Sequence, residues 1–317
     1  MIKKIKVAII GGSSGEALVN ACKKNKCYTI LICGKVSDSG YGTADENYLI
    51  DLHEKDRITK LIKEKSDCLL MGTGHILAHE IAKVLFDDGF CVSIDPYKAI
   101  YGKNKVMAYE QIRKLGYDTP NYIVIDSVDS FNEIDYLSVK LPCVVKSEND
   151  AVRTAKANNI KQLKLLIQEN LSAGGKAIVE EFITGIEYTI PVISDGHSFI
   201  GLTDALDMSN VNKIAVEHLR FFENMDVKYD RKKHINQKLK NEIRVAAVNI
   251  TEKLGLIGFI RYDLIVRLDG KVVFLEINEV AVSAMGDGHY PWDEVNIDPA
   301  DLMTKNMINL FMHQVSV

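Results

Sequence analysis

The sequence predicts an α/β unit built on a parallel sheet, followed by an α+β remainder. Three observations carry this reading. The first hundred residues alternate short, wholly apolar runs with amphipathic ones. From Gly102 onward, strand-like runs often follow one another with turns between them. Toward the end, "GFIRYDLIVRLDGKVVFLEIN" (258–278) sets two β-like runs either side of Asp269-Gly270. Continuous apolar strands between amphipathic helices mean a sheet covered on both faces, whereas runs joined by turns pair antiparallel. Boundaries near 100 and near 176 divide the 317 residues into segments 1–100, 101–176 and 177–317.

In chain order, "KVAII" (6–10), "YTILIC" (28–33), "DCLLM" (67–71) and "CVSI" (91–94) read as strands. "GEALVNACKK" (15–24), "DRITKLIKEK" (56–65) and "HILAHEIAKVLFDDG" (75–89) read as the helices between them, and Gly89 stands where a left-handed C-cap belongs. "KNKVMAYEQIRKLG" (103–116) is a helix closed by Gly116, "YDTPNYIVI" (117–125) returns to a strand, and "LPCVVK" (141–146) is a short buried strand. "NIKQLKLLIQENL" (159–171) is an amphipathic helix, followed by the linker "SAGGK". "AIVEEFI" (177–183), "IEYTIPVIS" (186–194) and "SFIGLTDAL" (198–206) are expected as successive antiparallel strands, turning at Thr184-Gly185 and Asp195-Gly196. Helices over roughly 233–254 and 298–314 flank the hairpin.

Composition excludes several classes. Charged residues make up 26% and the net charge is −4, so there is no concentrated basic face for nucleic acid. No apolar run is long enough for a membrane span. "MIKKIKVAII" opens like a signal peptide, but its apolar run is short and enters a strand-turn-helix pattern, so it is expected as the first strand. Cys22, Cys27, Cys33, Cys68, Cys91 and Cys143 form no CxxC pair and several sit in strand-like runs; reduced buried thiols of a cytoplasmic protein are expected. His75 and His79 lie four apart on a helix, but neighbouring Cys or acidic residues do not complete a metal site.

"GGSSGE" (11–16) follows the first strand and opens a helix. Its amides could hold an anion, but a nicotinamide site wants G-x-G-x-x-G and an acidic residue after the second strand; here the glycines stand at 11, 12 and 15 and "GKVSDSG" follows the second strand, a weak match. A tight turn needing small residues and a substrate contact through the amides or Glu16 both remain open. The hairpin is richer. Residues two apart on a strand share a face, so Arg261 with Asp263, and Glu276 with Asn278, point the same way, and pairing through the turn joins the sets. Two readings fit them: a hard divalent cation on two acids and an amide, or an ion-pair network around Arg261. The surroundings favour the cation. "VEEFITGIEYTI" supplies Glu180, Glu181 and Glu187, and Lys105 and Lys146 stand at element ends, where a compact ammonium suits phosphate.

The order Lys105, Lys146, "VEEFITGIE", "RYD" and "LEIN" resembles the ATP-grasp superfamily, and within it the D-alanine–D-alanine ligases and related carboxylate–amine ligases. The likeness covers nearly the whole chain, and its most specific element is R-x-D followed by E-x-N. It implies an ATP-grasp fold behind a Rossmann-like N-terminal unit, with 101–176 as a lid and 177–317 carrying the metal and catalytic residues. It implies Mg2+ (or Mn2+) on Asp263, Glu276 and Asn278, and Arg261 stabilising the reacting groups. ATP would meet Lys105 and Lys146, with Glu180, Glu181 and Phe182 at the adenine and Glu187 at the ribose. Glu16 would bind the first substrate's amine, and His75, Glu217, His218, Ser283 and His289 are further substrate candidates. The partners implied are a small carboxylate and an amine, with no membrane; a homodimer is implied by the resemblance alone.

Two departures stand out. The loop after Lys146, "SENDAVRTAKANN", has no glycine, where members usually carry a Gly-rich flap, and Arg153, Thr154 and Lys156 could serve instead. The segments N-T-x-P-G and H-G-x-x-G-E-D-G of D-alanine ligases are missing, which argues against D-alanine as substrate. A carboxylase or small-acid kinase of the superfamily, and a nucleotide-binding protein without turnover, are the rival expectations.

Overall fold

The computed structural model describes residues 4–127, 139–148, 154–194, 199–201, 206–207, 237–279 and 298–315. The first sheet grows from β1 (Lys6–Ile10), which is buried at every position after Lys6. It pairs parallel with β2 (Tyr28–Cys33) on one side and β4 (Cys68–Met71) on the other; β3 (Glu46–Leu49) and β5 (Cys91–Val92) form the edges, giving the order β3-β2-β1-β4-β5. Both faces are covered, as the unbroken apolar runs require. Ala8, Ile10, Ile32 and Met71 pack beneath α2 (Lys55–Lys65) and α3 (Ile76–Asp87). Val7, Ile9, Leu31 and Leu70 pack beneath α1 (Gly15–Lys24). Strand β3 escapes the sequence reading because its residues, ENYL, are only partly covered at the sheet edge and show no apolar run.

The second sheet is antiparallel throughout, in the order β6-β9-β7-β8: β6 (Tyr122–Ile125), β9 (Ala177–Glu181), β7 (Cys143–Ser147) and β8 (Ala155–Ala157). Cys143, Val145, Ala157, Ala177 and Val179 face Leu163 and Ile167 of α5 (Ile160–Ser172). The register places Tyr122, Val144, Lys156 and Glu180 in one row on the opposite face, with Lys146 two residues along from Val144. In the third sheet, β10 (Gly185–Ser194) pairs with β13 (Gly258–Arg267), and β13 with β14 (Val272–Glu279); β11 (Phe199–Gly201) and β12 (Leu206–Asp207) pair on β10. One face, with Tyr188, Ile190, Ile260, Tyr262, Leu264 and Phe274, packs on α6 (Gln237–Leu254) and on Ala108 and Ile112 of α4 (Lys105–Lys114).

The expected run of successive antiparallel strands breaks at its first step. β9 ends at Glu181 in the second sheet, and β10 begins at Gly185 in the third. Gly185 marks the crossing: a Cβ there would lie 2.3 Å from the Val266 carbonyl oxygen, so the chain passes hard against β13 at that point. Sequence spacing alone does not distinguish a hairpin from a change of sheet. The hairpin at Asp269-Gly270 forms as expected, with Gly270 at φ +84°. Within the segment "SFIGLTDAL" the described strand residues are Phe199–Gly201 and Leu206, which opens the short strand Leu206–Asp207.

The C-terminal helix, α7 (Pro299–Gln314), begins at Asp298, whose side chain accepts from Asp301 N, and it has Pro299 in its first turn. It lies on the first sheet beside α1: Ala300, Met303 and Met307 join the cluster of Val7, Ile9 and Leu70, and Asn25 Nδ2 donates to Asp301 Oδ1 at 2.6 Å. All six cysteines are free and buried, in keeping with the sequence expectation. No described helix is long and apolar enough to cross a membrane.

His79 is buried in α3, and its Nε2 has no hydrogen-bond partner. Burial first, then the neighbouring charges of Lys103 and His75, push its pKa down to about 4. An unfolded chain takes up that proton near the ordinary histidine value, so stability is full above about 6.5 and is lost as the pH falls toward 4. Lowering the pH from neutral to about 5 is expected to cost roughly 2 kcal/mol at this residue alone. In urea unfolding curves at the two pH values, His79→Leu is expected to lose that much less stability than the parent chain.

Candidate active site

The unpacked faces of the second and third sheets meet around one set of polar side chains. On the third sheet, Arg261 stands opposite Asn278 and Asp263 opposite Glu276. Arg261 Nε and Nη2 donate to the two oxygens of Asp263, both at 2.9 Å. Asn278 Nδ2 donates to Asp263 Oδ2 at 3.0 Å, and the Thr189 hydroxyl donates to Asp263 Oδ1. The register slips between Asp263 and Leu264, so Leu264 faces Phe274 and Leu275 is the extra residue of a β-bulge. That bulge immediately precedes Glu276.

Two lysines answer the carboxylates. Lys105, 4% exposed at the start of α4, places Nζ 3.4 Å from Glu276 Oε1. Lys146, at the cleft end of β7, places Nζ 2.8 Å from Glu180 Oε2. Burial works to raise the Glu276 carboxyl, but the charges of Lys105, Lys146 and Arg261 hold it below the usual range. Burial likewise works against the Lys146 ammonium, and Glu180, Glu276 and Glu187 keep its pKa above the ordinary value. Glu187 differs: burial and the Asp263 charge lift it to about 7, against the pull of Lys146 and Arg261.

The donor chemistry fits a hard divalent ion. Asp263, Glu276 and Asn278 offer oxygen on one face, and their present partners are protein cations and an amide hydrogen that an incoming ion would replace. Among the described residues there is no cluster of three His, Cys, Asp or Glu side chains able to hold a metal. Two acids and an amide suit an ion that takes its other ligands from a bound phosphate chain.

The profile of the family described as "D-ala D-ala ligase C-terminus" matches residues 112–282, more than half of the chain. The chain belongs to this family. A D-alanine–D-alanine ligase of Cupriavidus necator is 27% identical over 169 residues, 51% of this chain and 50% of that protein. The chain thus spans about half the length of the curated relatives it matches. In fold, the chain is similar to N5-carboxyaminoimidazole ribonucleotide synthetase from Thermotoga maritima, with a TM-score of 0.75 and 19% identity over 97% of this chain and 76% of that one. It is equally similar to an L-amino acid ligase from Bacillus licheniformis, with a TM-score of 0.75 and 16% identity over 96% and 74%. The fold is the ATP-grasp fold behind a Rossmann-like parallel sheet.

Within this family member, the residues singled out from the sequence fall into three groups. Lys105, Lys146, Glu180, Glu187, Arg261, Asp263, Glu276 and Asn278 come together between the sheets. Glu181 and Phe182 lie where β9 leaves the second sheet. The Glu181 carboxylate accepts from Asn121 N and Nδ2 at 3.1 and 3.2 Å, and the Phe182 ring lies 3.7 Å under Lys156 Nζ. Glu16 is elsewhere, exposed in the first turn of α1. There the glycine-rich turn serves close packing: a Cβ on Gly15 would lie 2.2 Å from Ser39 O, and one on Gly40 would lie 2.5 Å from Glu16 N. His75 caps α3, its Nδ1 accepting from Leu77 N at 3.2 Å. Arg153, Glu217, His218, Ser283 and His289 lie outside the described residues.

Sequence reasoning missed Tyr109 and Thr189. Thr189 carried a signal, two residues after Glu187 on a strand and so on its face. Tyr109 carried one too, four residues after Lys105 and so on the same helix face.

Removing one partner of a buried ion pair leaves the other uncompensated. Lys105→Met is therefore expected to destabilise the protein by about 3 kcal/mol. The double variant Lys105→Met/Glu276→Gln is expected to recover most of that loss, as read from urea midpoints at constant m-value.

Proposed function

We propose that this chain is an ATP-dependent, ADP-forming carbon–nitrogen ligase that joins a small carboxylate to an amine through an acyl phosphate. The observation that carries the reading is the convergence of Arg261, Asp263, Glu276 and Asn278 on one sheet face, opposite the buried ammonium groups of Lys105 and Lys146. Buried cations beside paired acids, between two sheets, match the needs of a triphosphate and its counter-ion. Its curated relatives, matched over half their length, are D-alanine–D-alanine ligases, which supports an amide-forming reaction.

In this reading Asp263, Glu276 and Asn278 hold Mg2+ or Mn2+, which when bound neutralises the phosphate oxygens and acts as a Lewis acid on the transferred group. Lys105 and Lys146 leave their carboxylates for phosphate oxygens. Glu180, Glu181 and Phe182 line the adenine, with Glu181 contributing its main chain because its carboxylate is held by Asn121. Glu187 takes the ribose hydroxyls. Segment 101–176, whose sheet is completed across the expected boundary by β9, acts as the lid, excluding water that would hydrolyse the activated acid. A substrate carboxylate oxygen attacks the γ-phosphorus and ADP leaves; an amine nitrogen then attacks the acyl carbon and phosphate leaves. Arg261 stabilises the negative charge that builds in both steps. Glu16 orients the first substrate, with Glu217, His218, Ser283 and His289 as further contacts. D-alanine is not the substrate in this reading, since the chain lacks the N-T-x-P-G continuation after Asn278.

The test is a screen of amino-acid pairs with ATP and Mg2+, read by mass spectrometry for a new amide and by release of ADP. A product requiring both partners is expected, and Glu276→Gln is expected to lower its rate on the order of a thousandfold. Bicarbonate-dependent phosphate release without an amine would replace the ligase by the carboxylase reading, and ATP binding without turnover on any pair would leave a binding protein.

A further inference from the structure

Helix α4 runs beside β14, and three side chains at successive turns of one face reach both neighbouring sheets. Lys105 pairs with Glu276 of the third sheet. Arg113 lies 5.0 Å over the Tyr122 ring of the second sheet, and its Nε donates to Thr119 Oγ1 at 2.6 Å. Tyr109, between them, touches both sheets through a single atom. Its hydroxyl oxygen lies 2.7 Å from Glu180 Oε1 and 2.8 Å from the Leu275 carbonyl oxygen, and it accepts from Lys146 Nζ at 3.2 Å. Its ring is fully buried against Tyr122, with centroids 5.5 Å apart.

A phenol has one proton to give. Here that proton is shared between the Glu180 carboxylate and the Leu275 carbonyl, while the oxygen receives the Lys146 ammonium. Leu275 is the bulged residue whose carbonyl leads directly into Glu276. One hydroxyl therefore holds together a side chain assigned to the adenine, a lysine assigned to the phosphates, and the backbone that aims a metal ligand. A buried aromatic of ordinary packing value needs none of these contacts, and phenylalanine would fill the same space.

We infer that Tyr109 is a positioning residue that couples nucleotide binding to divalent-metal binding, by fixing Glu180 and Lys146 relative to the bulge before Glu276. The inference rests on the assignment of those three residues under the ligase reading. When Lys146 turns toward a phosphate, Tyr109 remains as the donor to Glu180 and keeps the Leu275–Glu276 backbone in register with it. Removing the hydroxyl frees the two halves from each other.

The experiment is calorimetric titration of the full chain with ADP, in Mg2+ and in EDTA, for the parent and Tyr109→Phe. Mg2+ is expected to tighten ADP binding to the parent chain. In Tyr109→Phe, ADP affinity in EDTA is expected to fall on the order of tenfold, the worth of a hydrogen bond to a charged group, and the tightening by Mg2+ is expected to shrink by a similar factor. Glu180→Gln weakens the same link from its other end without disturbing the Tyr109 ring. It too is expected to reduce the tightening by Mg2+, and the double variant is expected to be no worse than the poorer single one. A Tyr109→Phe protein with a lowered thermal midpoint but the parent's affinity and Mg2+ response overturns the inference and leaves the ligase reading standing. If Tyr109→Phe does not fold, an unchanged Mg2+ response in Glu180→Gln overturns it equally. A parent chain that binds no ADP in Mg2+ overturns the ligase reading and this inference together.

Discussion

A carboxylate removed from water must meet a positive charge or take up a proton, and the cleft between the second and third sheets is arranged around that demand. Glu180 and Glu276 are buried, and each has a lysine within ion-pair distance. Lys105 reaches Glu276 of the third sheet from α4, and Lys146 meets Glu180 within the second sheet while its charge also reaches Glu276 across the cleft. Desolvation would otherwise drive Glu276 to take up a proton. The approach of α4 and the second sheet to the third and the ionised state of Glu276 are therefore the same fact seen twice.

That balance also makes chemical sense of the site. In the ligase reading, a triphosphate brings negative charge to the lysines while a divalent ion brings positive charge to the acids. Lys105 and Glu276 each exchange one counter-charge for another, and Glu180, which Lys146 leaves, keeps the Tyr109 hydroxyl as its donor. A site with the acids but without the lysines would have to fold around uncompensated carboxylates.

Much of this was legible beforehand. The parallel sheet followed from unbroken apolar runs, because a strand covered on both faces has no polar side to display. The shared face followed from strand periodicity, since Arg261 and Asp263, and Glu276 and Asn278, lie two apart on two strands joined by a turn that Asp269-Gly270 makes nearly obligatory. What escaped were relations between distant segments. Nothing local in "AIVEEFITGIEYTI" tells that Glu181 and Gly185 belong to different sheets. Nothing in "ENYL" marks an edge strand whose side chains stay half in water. Tyr109 was passed over, because its hydroxyl acquires partners only when three separate elements converge on it.

The place of the C-terminal helix has a consequence for how the molecule comes into being. Met303 and Met307 cover Val7, Ile9, Cys68 and Leu70, so one side of the first sheet is finished by residues made almost three hundred positions later. During synthesis, α1 covers only part of that surface, and the remainder stays open to water until α7 has been made and docks on it. The N-terminal sheet thus waits, half clothed, while everything between it and α7 is translated.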